Sequence, residues 1–149
     1  MKDVFSVDHI LHDTCSTTKE QAFSFIAQHA EKLGYVTSAE LYEAGLRARE
    51  QESSTGFTGG VAIPHSKNPA VSHAGIFLVR FSHPIEWETM DDEPVETAVA
   101  MSIPADGDEE NIRLLTRLSR AIMRAPFREV LRSGDAGQIQ QEISEVIAG

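Results

Sequence analysis

Three nearly unbroken apolar runs lie in the middle of the chain, and they narrow its fold more than any other feature. They are GVAIP at 60–64, AGIFLVRF at 74–81 and ETAVAMSIP at 96–104, with a shorter PIEW at 84–87 between the last two. A strand with one wet face alternates apolar and polar residues, whereas a strand covered on both faces reads as a continuous apolar run. These runs therefore predict a sheet with helices on each side of it.

The flanking sequence supplies those helices. After an extended opening around Val4–Leu11, Thr17 or Thr18 is placed to cap a helix carrying Ala22, Phe23, Ile26, Ala30 and Leu33, which Gly34 ends. Ser38 starts a second helix, with Leu41, Ala44 and Ala48 as its expected apolar stripe. Acidic residues from Glu109 favour a third helix start, with Ile112, Leu115, Leu118, Ile122 and Met123 as its expected buried stripe. Pro126 breaks that helix, and FREVLRSG and AGQIQQEISEVIA read as two more. Helices at both ends of a strand block predict a three-layer α/β/α sandwich. Short connections within the block predict hairpins and so a central mixed β-sheet. No repeat, low-complexity tract or linker divides residues 1–149, so one domain is expected.

Charge and cysteine usage exclude several functions. The chain has 13 basic and 23 acidic side chains, a formal charge of −10 that repels phosphate backbones and argues against nucleic-acid binding. A basic protein partner is electrostatically favoured. Cys15 is the only cysteine, which rules out an intrachain disulfide and a multi-thiolate metal site. No window approaches the roughly 20 apolar residues of a membrane span. The opening MKDVFSVDHI lacks an apolar block of signal-peptide length, so the expected location is the cytoplasm.

The chemistry concentrates between Arg49 and Pro69. Glycines lead into Val61-Ala62-Ile63, which delivers Pro64 and then His65 to the end of an expected strand. Imidazole titrates near neutrality, so a presented histidine can act as a nucleophile or base. Pro64 stiffens the path by which His65 leaves the strand. The hydroxyls of Ser54 and Thr55, with backbone N–H groups from Gly56 onward, are candidate donors to a phosphoryl group, and Arg49 adds a guanidinium fork matching phosphate geometry. No Gly-Lys-Ser/Thr follows at P-loop spacing, and no G-x-S-x-G elbow supports a serine hydrolase.

The block R49-E-x-x-S-S-T55-G56-x-x-G-G60-V-A-I-P64-H65 resembles the active-site signature of the fructose/mannitol-type (type 2) IIA components of the bacterial phosphoenolpyruvate-dependent sugar phosphotransferase system. The likeness extends over almost the whole chain, including the IPAD…NIRLLTRLSRAI segment. It implies that His65 is phosphorylated by the small carrier HPr and passes the group to a IIB component during sugar uptake. It further implies that Arg49 stabilises the phosphate and that no cofactor is needed. The membrane is then involved only indirectly, through the IIC component. Family members often carry a second histidine at the start of the late helix, where this chain has Asn111, an amide that can hydrogen-bond a phosphoryl oxygen but cannot carry charge. That departure leaves open a regulatory phosphorelay module of the nitrogen type, using the same histidine as a signal. A small histidine-dependent hydrolase or metal-binding protein is the third reading. Ser66 and Lys67 are a further departure, since a glycine is common after the histidine.

The remaining candidates read as structural. His9 and His12 are three apart but in an extended segment with no carboxylate partner implied, and no metal site is expected. His29 fits an amphipathic helix position, while His73 and His83 flank a strand as loop residues. Glu86, Glu88, Asp91, Asp92 and Glu93 read as a solvated turn. Trp87, Phe77 and Phe81 are expected in the core, and Phe57 is the candidate for an apolar rim around His65.

Overall fold

The computed structural model describes residues 2–107 and 109–149. A 3-10 turn at Val7–His9 leads into strand β1 (Ile10–Asp13). Helix α1 (Lys19–Lys32) begins where the Thr18 hydroxyl accepts from the Gln21 N–H at 3.2 Å, and the chain leaves it through Gly34, whose φ of +88° favours a residue without a Cβ. Helix α2 (Ala39–Glu52) is capped in the same way by Ser38, which accepts from the Leu41 N–H at 3.2 Å. Strands β2 (Val61–Ala62), β3 (His65–Asn68), β4 (Gly75–Ile85) and β5 (Val95–Pro104) follow. Helices α3 (Glu109–Ile122), α4 (Ala125–Ser133) and α5 (Ala136–Ala148) complete the chain. Pro126 stands in the first turn of α4, where a missing N–H leaves no helical bond unmade, and Asp135 with Gln138 forms a capping box on α5.

The sheet order is β1-β4-β5-β2, with β3 also on β5. β4 and β5 are antiparallel, and the other pairs are parallel, so the sheet is mixed as expected. Alternate residues of each apolar run go to opposite faces. Phe77, Val79, Ala98 and Ala100 pack under α1 and α2, while Ile76, Leu78, Val99 and Met101 pack under α3, α4 and α5. The continuous runs thus fill two cores at once, which makes the three layers.

Several local expectations change. PIEW is not a strand of its own: β4 continues through Pro84 to Ile85 after an irregularity beyond Arg80, because Ile85 can still pair with Val95. Only β4–β5 forms a hairpin, since β3 and β4 lie on opposite sides of β5. On α2 the inward residues are Tyr42 and Leu46, while Leu41, Ala44 and Ala48 are exposed. The larger side chains take the core, and the Tyr42 hydroxyl donates to the Met101 carbonyl at 2.9 Å. On α3 the buried side chains are Leu114, Leu118, Ala121 and Ile122, whereas Ile112 and Met123 are 54% and 49% exposed.

Candidate active site

The position of His65 follows from an interruption in the sheet edge. Val61 and Ala62 pair with Thr97 and Ala98, and His65 to Asn68 pair with Met101 to Pro104 at the same sequence offset. β2 and β3 are therefore one edge strand that pauses at Ile63-Pro64. Pro64 has no N–H to give, yet its carbonyl accepts from the Met101 N–H at 3.0 Å, which keeps the register. His65 consequently begins the second strand segment, where the sequence reading had it leaving the end of the first.

Ile63 turns its polar groups away from β5. Its N–H donates to the Thr55 carbonyl at 2.9 Å, and its carbonyl lies 2.9 Å from Nδ1 of His65. A carbonyl only accepts, so Nδ1 carries the proton and Nε2 keeps its lone pair. Burial pulls the His65 pKa below the usual imidazole value, the Ile63 bond opposes this, and the Arg49 guanidinium lowers it further against Glu50 and Glu52. The ring is half-buried and lines an open cavity of about 460 Å³ together with Arg49, Phe57, Leu115 and Met123. A second cleft meets the first at His65 and Arg49 and includes Ile112.

Arg49 lies at the end of α2, and its Nη1 donates to the Ser53 carbonyl at 2.9 Å and to the Ser53 hydroxyl at 3.4 Å. Both bonds use one nitrogen, so Nε and Nη2 are left for a ligand among the described residues. The donors assigned from sequence to a phosphoryl group are committed elsewhere. The Ser54 hydroxyl donates to the Glu88 carbonyl, the Gly56 N–H goes to Ser54 Oγ at 3.1 Å, and Thr55 gives both its N–H and its hydroxyl to Glu50. In this structure the Ser54 and Thr55 hydroxyls and the Thr55 and Gly56 N–H groups hold the loop together and are not free for a ligand, although Ser54 and Thr55 line the cavity. The loop is pinned a second time by Asp91, whose carboxylate accepts from the Gly59 N–H and the Thr58 hydroxyl at 3.0 Å each. These bonds, the Gly59 one foremost, hold the Asp91 carboxyl below the usual range. One member of the expected solvated turn is thus a loop anchor.

Asn111 lines neither cleft and sits with its amide against Gly107. Leu115, Thr116, Ser119 and Arg120 of α3 and Met123 just past its end line the cavity; Leu115 and Met123 were expected in the buried stripe, and none of the five was expected in the site. Their signal was an excess of apolar residues on α3: Leu114, Leu118 and Ile122 make one stripe, and Ile112, Leu115 and Met123 make another facing His65. Glu50 was missed as well, although it continues the spacing of four residues that runs from Tyr42 through Leu46. Phe57 does line the cavity, while also packing on the α3–α5 core.

The other histidines take no part. His9 is buried, stacked on Phe77 at 4.9 Å, and His12 is exposed on β1. Among the described residues no group of three His, Cys, Asp or Glu side chains is placed to hold a metal ion, and no helix is long and apolar enough to cross a membrane.

Comparison with known proteins gives the family and the fold. The family model described as "Phosphoenolpyruvate-dependent sugar phosphotransferase system, EIIA 2" matches residues 3–146. The chain is 34% identical over 131 residues to the "PTS system fructose-specific EIIA component" of Haloferax volcanii, covering 87% of this chain and 85% of that one. Among solved structures it is similar to the nitrogen regulatory protein IIA-Ntr of Neisseria meningitidis, with a TM-score of 0.83, 25% identity and coverage of 94% and 96% of the two chains. It also shares its fold with a chain in the complex of enzyme IIAMTL and phosphorylated enzyme IIBMTL of Escherichia coli, with a TM-score of 0.77, 19% identity and coverage of 95% and 97%.

Proposed function

This chain belongs to the EIIA 2 family of the phosphoenolpyruvate-dependent sugar phosphotransferase system, and we propose that it carries the phosphoryl group on Nε2 of His65, between phospho-HPr and a IIB component, during sugar uptake. The observation that carries this reading is the 2.9 Å bond from Nδ1 to the Ile63 carbonyl, which leaves Nε2 as the nucleophilic nitrogen in a ring kept neutral by burial and by Arg49. In the accepting step a bond forms from Nε2 to phosphorus while the donor's bond to phosphorus breaks, its electron pair returning to the donor nitrogen. Nδ1 keeps its proton throughout, and the Ile63 carbonyl supports the positive charge that the ring gains. Nε and Nη2 of Arg49 face the phosphoryl oxygens, where little covalent work is needed and charge stabilisation dominates. The onward step to IIB reverses these roles.

The exposed Ile112 and Met123 beside the cavity give both partners one apolar surface, so donor and acceptor dock in turn at the same place. A regulatory role is the second reading, favoured by the likeness to the nitrogen regulatory protein of Neisseria meningitidis. The two share the phosphorylation step and part at the acceptor. The test is incubation with phosphoenolpyruvate, Enzyme I and HPr, followed by addition of a IIB protein. Wild type takes up one acid-labile phosphate and His65→Ala none. Label remaining on His65→Ala would refute the carrier assignment, and retention of the phosphate in the presence of every IIB tested would favour regulation.

A further inference from the structure

Among the ion pairs of the described residues Glu50 has the most buried carboxylate, its side chain 7% exposed. A buried carboxylate is tolerated when donors surround it. Here Oε1 accepts from the Thr55 hydroxyl, while Oε2 accepts from the Thr55 N–H and from the Trp87 indole N–H, each at 3.1 Å, with Lys19 Nζ at 3.5 Å. Of these residues only Thr55 reaches the cavity wall, and the Glu50 carboxylate lies behind it. It does connect to His65, however: the Thr55 carbonyl takes the Ile63 N–H, and the Ile63 carbonyl takes Nδ1 of His65. A series of hydrogen bonds, joined through the backbones of Thr55 and Ile63, therefore runs from Trp87 through Glu50, Thr55 and Ile63 to the imidazole, with Lys19 ion-paired to Glu50 at its outer end.

We propose that Glu50 is a positioning residue that selects the His65 tautomer, by clamping Thr55 so that residue Ile63 stays in place with its carbonyl on Nδ1. Ile63 lies at the pause between β2 and β3, where neither its N–H, in the peptide to Ala62, nor its carbonyl, in the peptide to Pro64, bonds to β5, so Thr55 is the backbone partner that holds the residue on that side. A histidine side chain in water favours the tautomer with the proton on Nε2, which has no lone pair there to attack phosphorus. Releasing Thr55 lets Ile63 shift and its carbonyl leave Nδ1, and the ring reverts toward that unreactive form. Adjacent residues of α2 thus divide the work: Glu50 continues the inward face of Tyr42 and Leu46, and Arg49 turns toward the cavity. Trp87 gives the clamp a fixed wall, stacked edge-on against Phe23 at 5.6 Å. The consequence for rate rests on the carrier reading above, while the consequence for the tautomer does not.

The test uses the full chain labelled with ¹⁵N-histidine, its ring nitrogens read by long-range ¹H–¹⁵N spectra at about pH 8, above the ordinary imidazole value. His65→Ala assigns the resonance. Wild type is expected to hold the Nδ1–H form alone. Glu50→Gln, with one acceptor oxygen for three hydrogen-bond donors and Lys19, and Thr55→Val, without the hydroxyl, are expected to show a mixture with the Nε2–H form. Their kcat for phosphate uptake from phospho-HPr should fall by about 10- to 100-fold with KM unchanged. If Glu50→Gln does not fold, Thr55→Val and Trp87→Phe carry the comparison. A pure Nδ1–H form in the folded variants, whatever their rate, overturns the proposal, and so does a shifted tautomer with an unchanged rate. Failure of wild type to accept phosphate at all sinks the carrier reading and leaves the tautomer result to decide the clamp.

Discussion

Gly45 of α2 packs so closely on Ser66 of β3 that a Cβ at residue 45 would fall 2.2 Å from the Ser66 hydroxyl oxygen. The serine that follows His65 thus fits because the helix opposite has no side chain there. The same helix carries Arg49 one turn later, so the contact holds α2 against β3 beside the site. Gly45→Ala is expected to destabilise by about 1–3 kcal/mol through overpacking, less the roughly 1 kcal/mol that alanine gains over glycine in a helix. Adding Ser66→Gly should remove part of the overpacking cost, the remainder coming from the Asn68 amide nitrogen, which lies 2.5 Å from the same Cβ position. Urea denaturation of the two single variants and the double variant measures it, and additive effects would show that the contact is not what confines residue 45.

A second expectation concerns acid. His9 is buried against Phe77 and Tyr35 with Nδ1 on the Ile76 carbonyl, and burial lowers its pKa from the ordinary 6.5. The folded state then binds a proton less readily than the unfolded one, so stability is full above about pH 6.5 and is lost as pH falls below it, until the folded value is passed. His65 is shifted the same way and adds to the loss. His9→Gln removes the titrating group while keeping an amide donor for Ile76. Its unfolding midpoint should depend less on pH between about 7 and 5 than that of wild type, and an equal dependence would remove His9 from the account.

How far the sequence could be read depended on what each signal measures. Continuous apolar runs report burial on both faces, and the three layers followed directly from 74–81 and 96–104. Choosing between two apolar stripes on one helix needs a knowledge of what lies opposite, and that is tertiary information. Leu41, Ala44 and Ala48 have helical spacing, yet Tyr42 and Leu46 bury more area and take the inward face. The same uncertainty hid Glu50 and the cavity face of α3. His65, Arg49 and Phe57 were legible because the motif places them within one segment of chain, and all three line the cavity. Ser54, Thr55 and Gly56 were legible as residues of the loop, but where their donors go is decided by Glu88 and Glu50, which no local pattern pairs with them.

The apolar rim yields a third prediction. Met123 is 49% exposed at the edge of the cavity, so replacing it with aspartate removes little core packing. A docking surface tolerates such a charge badly, since its central residues lose water when the partner binds. Met123→Asp should raise KM for phospho-HPr by about tenfold, equivalent to roughly 1.4 kcal/mol, with kcat and the unfolding midpoint near wild type. A fall in kcat at constant KM would place Met123 in the chemistry and not in docking.

Arg49 acts on His65 in two separable ways. Its charge helps hold the imidazole pKa below 6.5, second to burial, and its free nitrogens stand ready for the phosphoryl oxygens. Neutralising it in Arg49→Gln removes the first effect: the His65 pKa should rise, while remaining under the influence of burial. Between the wild-type and variant values the variant ring is more protonated, so its activity should begin to fall at a higher pH than in wild type as acid is added. Removing the second effect should slow phosphate uptake roughly 100- to 1,000-fold even at a pH where both rings are neutral, the usual loss when a charge-stabilising donor is deleted. Titration of the His65 ring by NMR isolates the first, and single-turnover transfer from phospho-HPr at about pH 8 isolates the second, since that lies above the ordinary imidazole value. A raised pKa with an undiminished rate would mean that Arg49 only tunes the ring and that the phosphoryl oxygens are met by other donors.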